Sequence, residues 1–203
     1  MKLYIMPGAC SLATHILLRE AGQTFEIEKV GRDKKTESGA DFMAINPKGY
    51  VPALEIAPGD VLTENVVLHG YVAGLNPAAK LAPALGTKER LKLDELSVFV
   101  STEIHKAYGS LFSGYPDEVK AQIREKLAKR YELIEKLLSD GRPYLTGQNF
   151  ATADAYLFTV SRWAGNTGVD LSKFPNVLAF QERVAARPAV KAAMQAEGLL
   201  KAA

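Results

Sequence analysis

The chain contains one cysteine, Cys10, in the run Pro7-Gly8-Ala9-Cys10-Ser11. It falls between a strand-like run, Leu3-Tyr4-Ile5, and a helix-like run from Leu12 to Glu20, which predicts a thiol at a helix N-terminus. Unpaired backbone N–H groups and the positive end of the helix dipole favour an anion there, so the thiol is expected to have a lowered pKa and to act as a nucleophile or thiolate partner. The bland alternative is a small buried hydrophobe, where most free cysteines belong. The Pro-Gly turn favours the reactive reading, because it leaves the helix start reachable.

Two further sites carry polar backbone or charge. Val51-Pro52 precedes the strand-like Ala53-Leu54-Glu55-Ile56. A cis peptide there would turn the Val51 N–H and C=O outward as an edge for an extended peptide ligand. Only about 5–6% of X-Pro bonds are cis, so a trans proline opening a strand is the default until the fold argues otherwise. Thr63-Glu64-Asn65 ends a strand and opens a helix. Such a turn offers N–H groups and the Asn65 amide to a carboxylate, and the Glu64 carboxylate to an ammonium, although alone it is a capping sequence. His15, His69 and His105 are too scattered to suggest a metal site, and one cysteine excludes both an internal disulfide and a Cys-rich zinc site.

These residues need elements to hold them. Lys2-Met6 reads as a strand, Ser11-Ala21 as a helix ended by Gly22, and Phe25-Val30 as a second strand with alternating apolar and charged residues, a βαβ unit with a right-handed parallel pair. A helix-like stretch over Gly39-Ile45 stops at Asn46-Pro47. Ala53-Ile56 and Val61-Thr63 flank the turn Pro58-Gly59-Asp60, and a last helix runs from Glu64-Asn65 through Ala73. The order is β-α-β-α-β-β-α with a mixed sheet. Beyond it the pattern turns helical: Lys88 to about Phe112 with Leu91, Leu96, Phe99, Val100 and Ile104 on buried faces, then Asp117-Leu138, Asp154-Trp163, Pro175-Ala186 and Pro188-Ala196. The expected fold is therefore α/β plus all-α, with a first domain over 1–75, a linker over 76–86 and an all-helical domain over 87–203.

Composition sets the background. The 203 residues are 47% hydrophobic and 24% charged, and 25 Lys+Arg against 23 Asp+Glu leave a net charge of +2. Charges are interspersed, so no basic stripe suggests a nucleic-acid partner. No apolar run is long enough for a bilayer and no leader pattern is visible, so a soluble, cytoplasmic protein with no membrane or metal requirement is expected.

A β-α-β-α-β-β-α half with a thiol after its first strand and an X-Pro before its third has the arrangement of the thioredoxin-like fold. Cys10, Val51-Pro52 and Glu64-Asn65 together supply a thiol neighbour, a backbone partner and an end-group clamp, which is the inventory for glutathione. The sequence resembles the bacterial beta-class glutathione S-transferases over essentially its whole length. The resemblance rests on Met1-Lys2-Leu3-Tyr4 with Pro7-Gly8-Ala9-Cys10-Ser11-Leu12, on Lys34-Lys35-Thr36-Glu37-Ser38-Gly39, and on the run Ala44 to Leu54. Leu62-Thr63-Glu64, Ser101-Thr102-Glu103-Ile104-His105-Lys106, the run Ala153 to Thr159, and Ala186-Arg187-Pro188-Ala189-Val190 complete it.

The resemblance implies a cytoplasmic homodimer with glutathione as co-substrate, bound between the thioredoxin-like domain and the helical one. It implies transfer of the glutathione thiol to small hydrophobic electrophiles, with glutathione-dependent thiol-disulfide exchange through Cys10. Cys10 and His105 are its catalytic residues by similarity. Lys34, or Lys35 in its place, reaches the glycine carboxylate; Val51, with Pro52, pairs with the cysteinyl backbone; Glu64 and Asn65 hold the γ-glutamyl group. Tyr108, Leu111, Phe112 and Trp163 are expected to line the pocket for the second substrate. The chain departs from the family pattern at Ile5, Asn65, Val98 and Ala151, and is one residue shorter around Gly31-Arg32-Asp33. Ile5 and Val98 favour a rival reading as a non-catalytic ligandin or interaction module, against which stands the joint presence of Cys10, Val51-Pro52, Glu64 and His105. Ala13 occupies the last position of a would-be Cys-x-x-Cys, which disfavours dithiol chemistry.

Overall fold

The computed structural model describes residues 1–200. It forms two compact units: Met1–Leu81 joined by the segment from Pro188 onward, and Ala82–Arg187. The first contains β1 (Lys2–Ile5), α1 (Ser11–Glu20), β2 (Glu26–Lys29), α2 (Phe42–Ile45), β3 (Ala53–Ala57), β4 (Asp60–Thr63) and α3 (Asn65–Leu75). The element order expected from the sequence is the one observed. The sheet runs β2-β1-β3-β4, with β1 parallel to β2 and antiparallel to β3, and β4 an antiparallel edge. Leu3, Ile5 and Leu54 of its central strands are fully buried.

Helix α1 is apolar on more than one face, and every residue from Ser11 to Leu18 is buried. An all-round buried helix must be covered on all sides, and β1, α3 and the chain's last helix do this. Helix α2 starts at Phe42, later than the expected Gly39, because Asp41 caps it by accepting from Met43 N–H at 2.9 Å.

The second unit contains α4 (Lys88–Phe99), a π-helical stretch Val100–His105, α5 (Lys106–Leu111), α6 (Asp117–Leu138), α7 (Thr152–Ser161), α8 (Ala164–Thr167) and α9 (Pro175–Ala185). Leu91, expected on a buried face, is 65% exposed, and Leu93 takes the core position. Buried Leu93, Ser97, Val100 and Ile104 follow the i, i+4, i+7, i+11 spacing of one helix face, and Leu91, nine residues before Val100, lies on the opposite side. Helix α7 is buried along its whole length, between α4 and α9.

Helix α10 (Pro188–Ala196) belongs with the first unit, whereas the sequence pattern extends the helical domain to the C-terminus. The reason is a buried polar anchor. The Glu197 carboxylate accepts from Gly8 N–H at 2.8 Å and meets His15 Nδ1 at 2.8 Å, while Arg19 Nε donates to His15 Nε2 at 2.9 Å. Gly8, Ser11, His15 and Glu197 thereby tie the loop before Cys10 to both helices.

Ala151, one of the departures from the family pattern, is the N-cap residue of α7. Asp154 accepts from Ala151 N–H and Leu145 N–H, each at 2.8 Å, but Ala151 has no side-chain oxygen to return a bond to Asp154 N–H. Burial pushes the Asp154 carboxyl up to about 7 against those two donors and the nearby Arg187 charge. Asp154 N–H is bonded to Ala151 O at 3.0 Å, so Ala151→Ser adds a side-chain acceptor beside the backbone one, and the expected outcome is a gain of about 0.5 kcal/mol in unfolding free energy, the low end for a cap. Equal urea midpoints for the variant and the native chain would show that the hydroxyl finds no N–H there.

Candidate functional site

The residues of the first unit that sequence reasoning singled out converge on one loop. Asn46 shapes it: its buried amide donates to Tyr50 O at 2.8 Å, its Oδ1 accepts from Lys48 N–H at 3.2 Å, and its carbonyl accepts from Gly49 N–H at 2.9 Å. Gly49 sits at φ 71°, a left-handed conformation that favours glycine. The chain then passes through Val51-Pro52, whose peptide bond is cis. The Val51 carbonyl accepts from Cys10 Sγ at 3.2 Å, and the Val51 N–H has no hydrogen-bond partner among the described residues.

Cys10 occupies the N-cap position of α1 as expected. Its electrostatics differ from the expectation. Burial pushes the thiol up to about 11, and the opposing hydrogen bonds of Asn65 and of the Cys10 and Ser11 backbone do not offset it. The cost of taking a thiolate out of water exceeds what the helix terminus returns. Cys10 is thus a neutral S–H donor at pH 7, not the activated thiolate that its place at the helix start predicts.

Asn65 is buried at the first turn of α3, where its Oδ1 accepts from Thr14 Oγ1–H at 3.3 Å. The residue before it, Glu64, has φ 70° and ψ 115°, a left-handed φ that a non-glycine residue adopts at a cost of roughly 1–3 kcal/mol. Glu64 stands in solvent with Oε1 accepting from Lys48 Nζ at 2.6 Å and Tyr50 OH at 2.9 Å. Those two donors hold its carboxyl below the usual range, Lys48 foremost. Lys34 Nζ donates to Gly49 O at 2.6 Å, on the same loop, whereas Lys35 is exposed and its side chain makes no such bond. Sequence reasoning missed Asn46, Lys48 and Tyr50. Only the Asn-Pro-x-Gly turn signal hinted at them, since a partner 14 or 16 residues away leaves no periodic trace.

In the second unit His105 closes the π-helical stretch, a feature often found at functional positions. Its Nδ1 lies 2.6 Å from Tyr156 OH, and its ring packs 5.2 Å from Trp163. Burial lowers its pKa to about 4, so the imidazole is neutral at pH 7. Trp163 also meets the rings of Tyr108 at 5.8 Å and Phe112 at 5.7 Å. Of the four residues expected to line a pocket, Phe112 is 57% exposed and Trp163 half-buried. Tyr108 and Leu111 are core residues. Tyr108 shares a hydrogen bond with Tyr131 OH at 2.9 Å and supports Trp163 from behind.

Family models match both parts of the chain: the glutathione S-transferase N-terminal domain over residues 1–74 and the glutathione S-transferase C-terminal domain over 90–188. The chain belongs to the glutathione S-transferase family. It is 42% identical over 201 residues to the glutathione S-transferase GstA of Escherichia coli O157:H7, covering 98% of this chain and 100% of that protein. A solved beta-class glutathione S-transferase from Sphingomonas chungbukensis superposes with a TM-score of 0.94 at 44% identity, covering 98% and 100% of the two chains. A sphingomonad glutathione S-transferase solved with glutathione gives 0.93 at 44% identity, with the same coverage. These relatives are bacterial transferases, and the resemblance to the beta class holds on sequence and on structure.

The thiol offers a direct check. Alkylation of Cys10 by iodoacetamide is expected to be slower at pH 7 than that of an unstructured cysteine, whose pKa is about 8.5, and to keep rising above pH 10. A rate that levels off by pH 8 would restore the activated thiolate.

Proposed function

We propose that this chain binds glutathione along the loop 46–52 and joins its thiol to small hydrophobic electrophiles, as a cytoplasmic homodimer. The observation that carries this reading is the pair of Val51 backbone groups. The carbonyl engages Cys10 and the N–H is left for a ligand, with Lys34 bonded to Gly49 O and Glu64 to the Lys48 and Tyr50 side chains of the same loop. An extended tripeptide would pair its cysteinyl backbone with Val51, its glycine carboxylate with Lys34, and its γ-glutamyl end with Glu64 and the N–H groups at the start of α3.

The chemistry follows from a protonated Cys10. Its S–H, aimed at Val51 O in the ligand-free chain, turns to donate to the glutathione sulfur and favours the thiolate form of the ligand. That thiolate attacks the electrophilic carbon, a C–S bond forms, and the leaving group departs with the bonding pair. The proton of the glutathione thiol passes to water, and by family resemblance neutral His105, its ring oriented by Tyr156, is assigned a hydrogen bond donated toward the thiolate. Thiol-disulfide exchange is a second activity of the same cysteine. The Cys10 thiolate attacks glutathione disulfide, releases one glutathione thiolate and forms a mixed disulfide that a second glutathione resolves. Because only the thiolate attacks, this exchange should climb steeply with pH from neutrality, whereas conjugation does not need Cys10 ionised.

Two measurements test the assignment. Glu64→Ala should weaken glutathione binding by about 1.5 kcal/mol, roughly ten-fold, in a calorimetric titration. An unchanged affinity removes Glu64 from the site. His105→Ala should lower conjugation turnover by roughly 10²-fold, the low end for loss of one hydrogen-bond donor to an anion, with glutathione affinity kept. Turnover equal to that of the native chain would leave His105 as packing for Trp163.

A further inference from the structure

Glu64 is the proposed seat for the ligand's ammonium group, yet in the ligand-free chain an ammonium already sits there. Lys48 Nζ lies 2.6 Å from Glu64 Oε1 and 2.9 Å from Thr63 Oγ1, so it is held by two acceptors. Tyr50 OH takes the same carboxylate oxygen at 2.9 Å. The backbone N–H of Lys48 is bonded to Asn46 Oδ1 inside the turn at 46–49, which fixes the base of the side chain and leaves its end free to swing. Glu64 is held in place as well, at φ 70° on the last residue before α3.

We infer that Lys48 is an internal competitor for the γ-glutamyl site, a specificity-determining residue that a ligand's free ammonium group must displace from Glu64. The inference rests on the proposed glutathione reading and adds to it the residue that sets the threshold for entry. A second ammonium brought to the remaining oxygen of the same carboxylate would face the Lys48 charge at close range, and like charges so placed repel. Tyr50 is neutral and imposes no such penalty. Thr63 Oγ1 remains to hold Lys48 after it leaves Glu64, so displacement need not strand the lysine. Glu64 and Lys48 are about half exposed, at 51% and 46% of their side-chain surface, which keeps the pair weak enough for a ligand to break. Ligands with a free α-ammonium are thus selected over ligands in which that nitrogen is blocked, since only the former can replace what Lys48 gives to Glu64.

The test is calorimetric titration of the native chain, Lys48→Met and Lys48→Gln with two probes, glutathione and N-acetylglutathione, whose amide nitrogen carries no charge. Both variants should bind glutathione roughly two- to five-fold more tightly than the native chain, the range expected when an exposed ion pair no longer has to be broken. Their affinity for N-acetylglutathione should stay at the native level. Unchanged or weakened glutathione binding in both variants overturns the inference and makes Lys48 a bystander or a ligand contact. An equal gain for both probes also overturns it, because the gain would then not depend on the ammonium. Failure of the native chain to bind glutathione at all removes the underlying reading, an outcome distinct from either of these.

Discussion

The site depends on one constraint, the complete burial of the first turns of α1. From Ser11 to Leu18 no side chain reaches solvent, yet three of these residues, Ser11, Thr14 and His15, are polar. A buried polar group without a partner costs roughly 1–3 kcal/mol, so each dictates a neighbour. Ser11 Oγ bonds Met6 N–H and Met6 O, both at 3.3 Å, and fixes the loop before Cys10. Thr14 reaches Asn65, which sets the start of α3. His15 reaches Glu197, which brings α10 against the same helix and adds the bond to Gly8. Cys10 lies where these restraints meet.

The same burial decides the chemistry of the thiol. A helix N-terminus favours an anion by about 0.3–1 kcal/mol at exposed positions, whereas desolvation of a buried group shifts its pKa by up to several units. At Cys10 desolvation wins and the thiol stays protonated. At His105, in a separate aromatic setting, burial again favours the neutral form. Two groups that titrate near neutrality in water are both held uncharged, and each offers a hydrogen bond in place of a fixed charge.

The charged residues are arranged differently. Glu64, Lys48, Tyr50 and Lys34 all lie toward solvent along a loop whose turn is set by Asn46 and Gly49. Their interactions are screened and individually modest, so they are suited to exchange one partner for another. In the proposed reading, dry groups around Cys10 handle the sulfur and wet groups around Glu64 recognise the ends of the peptide.

Local sequence was enough for the element order, the thiol at the start of α1, the turn around Asn46-Pro47 and the strand after Val51-Pro52. Each is written in turn chemistry, capping or period over a few residues. Family resemblance, not spacing, singled out His105. The tertiary structure alone decided the rest. It chose the helix face through Leu93, Val100 and Ile104 for the core and left Leu91 exposed. It sent α10 back to α1, through a carboxylate 182 residues from its histidine. It put Lys48 on Glu64 and aimed Lys34 at Gly49. It raised the pKa of a thiol whose local sequence argued for the opposite. Periodicity and capping act within a turn or two of chain, but desolvation and ion pairing depend on what the fold brings near, and that information is spread over the whole sequence.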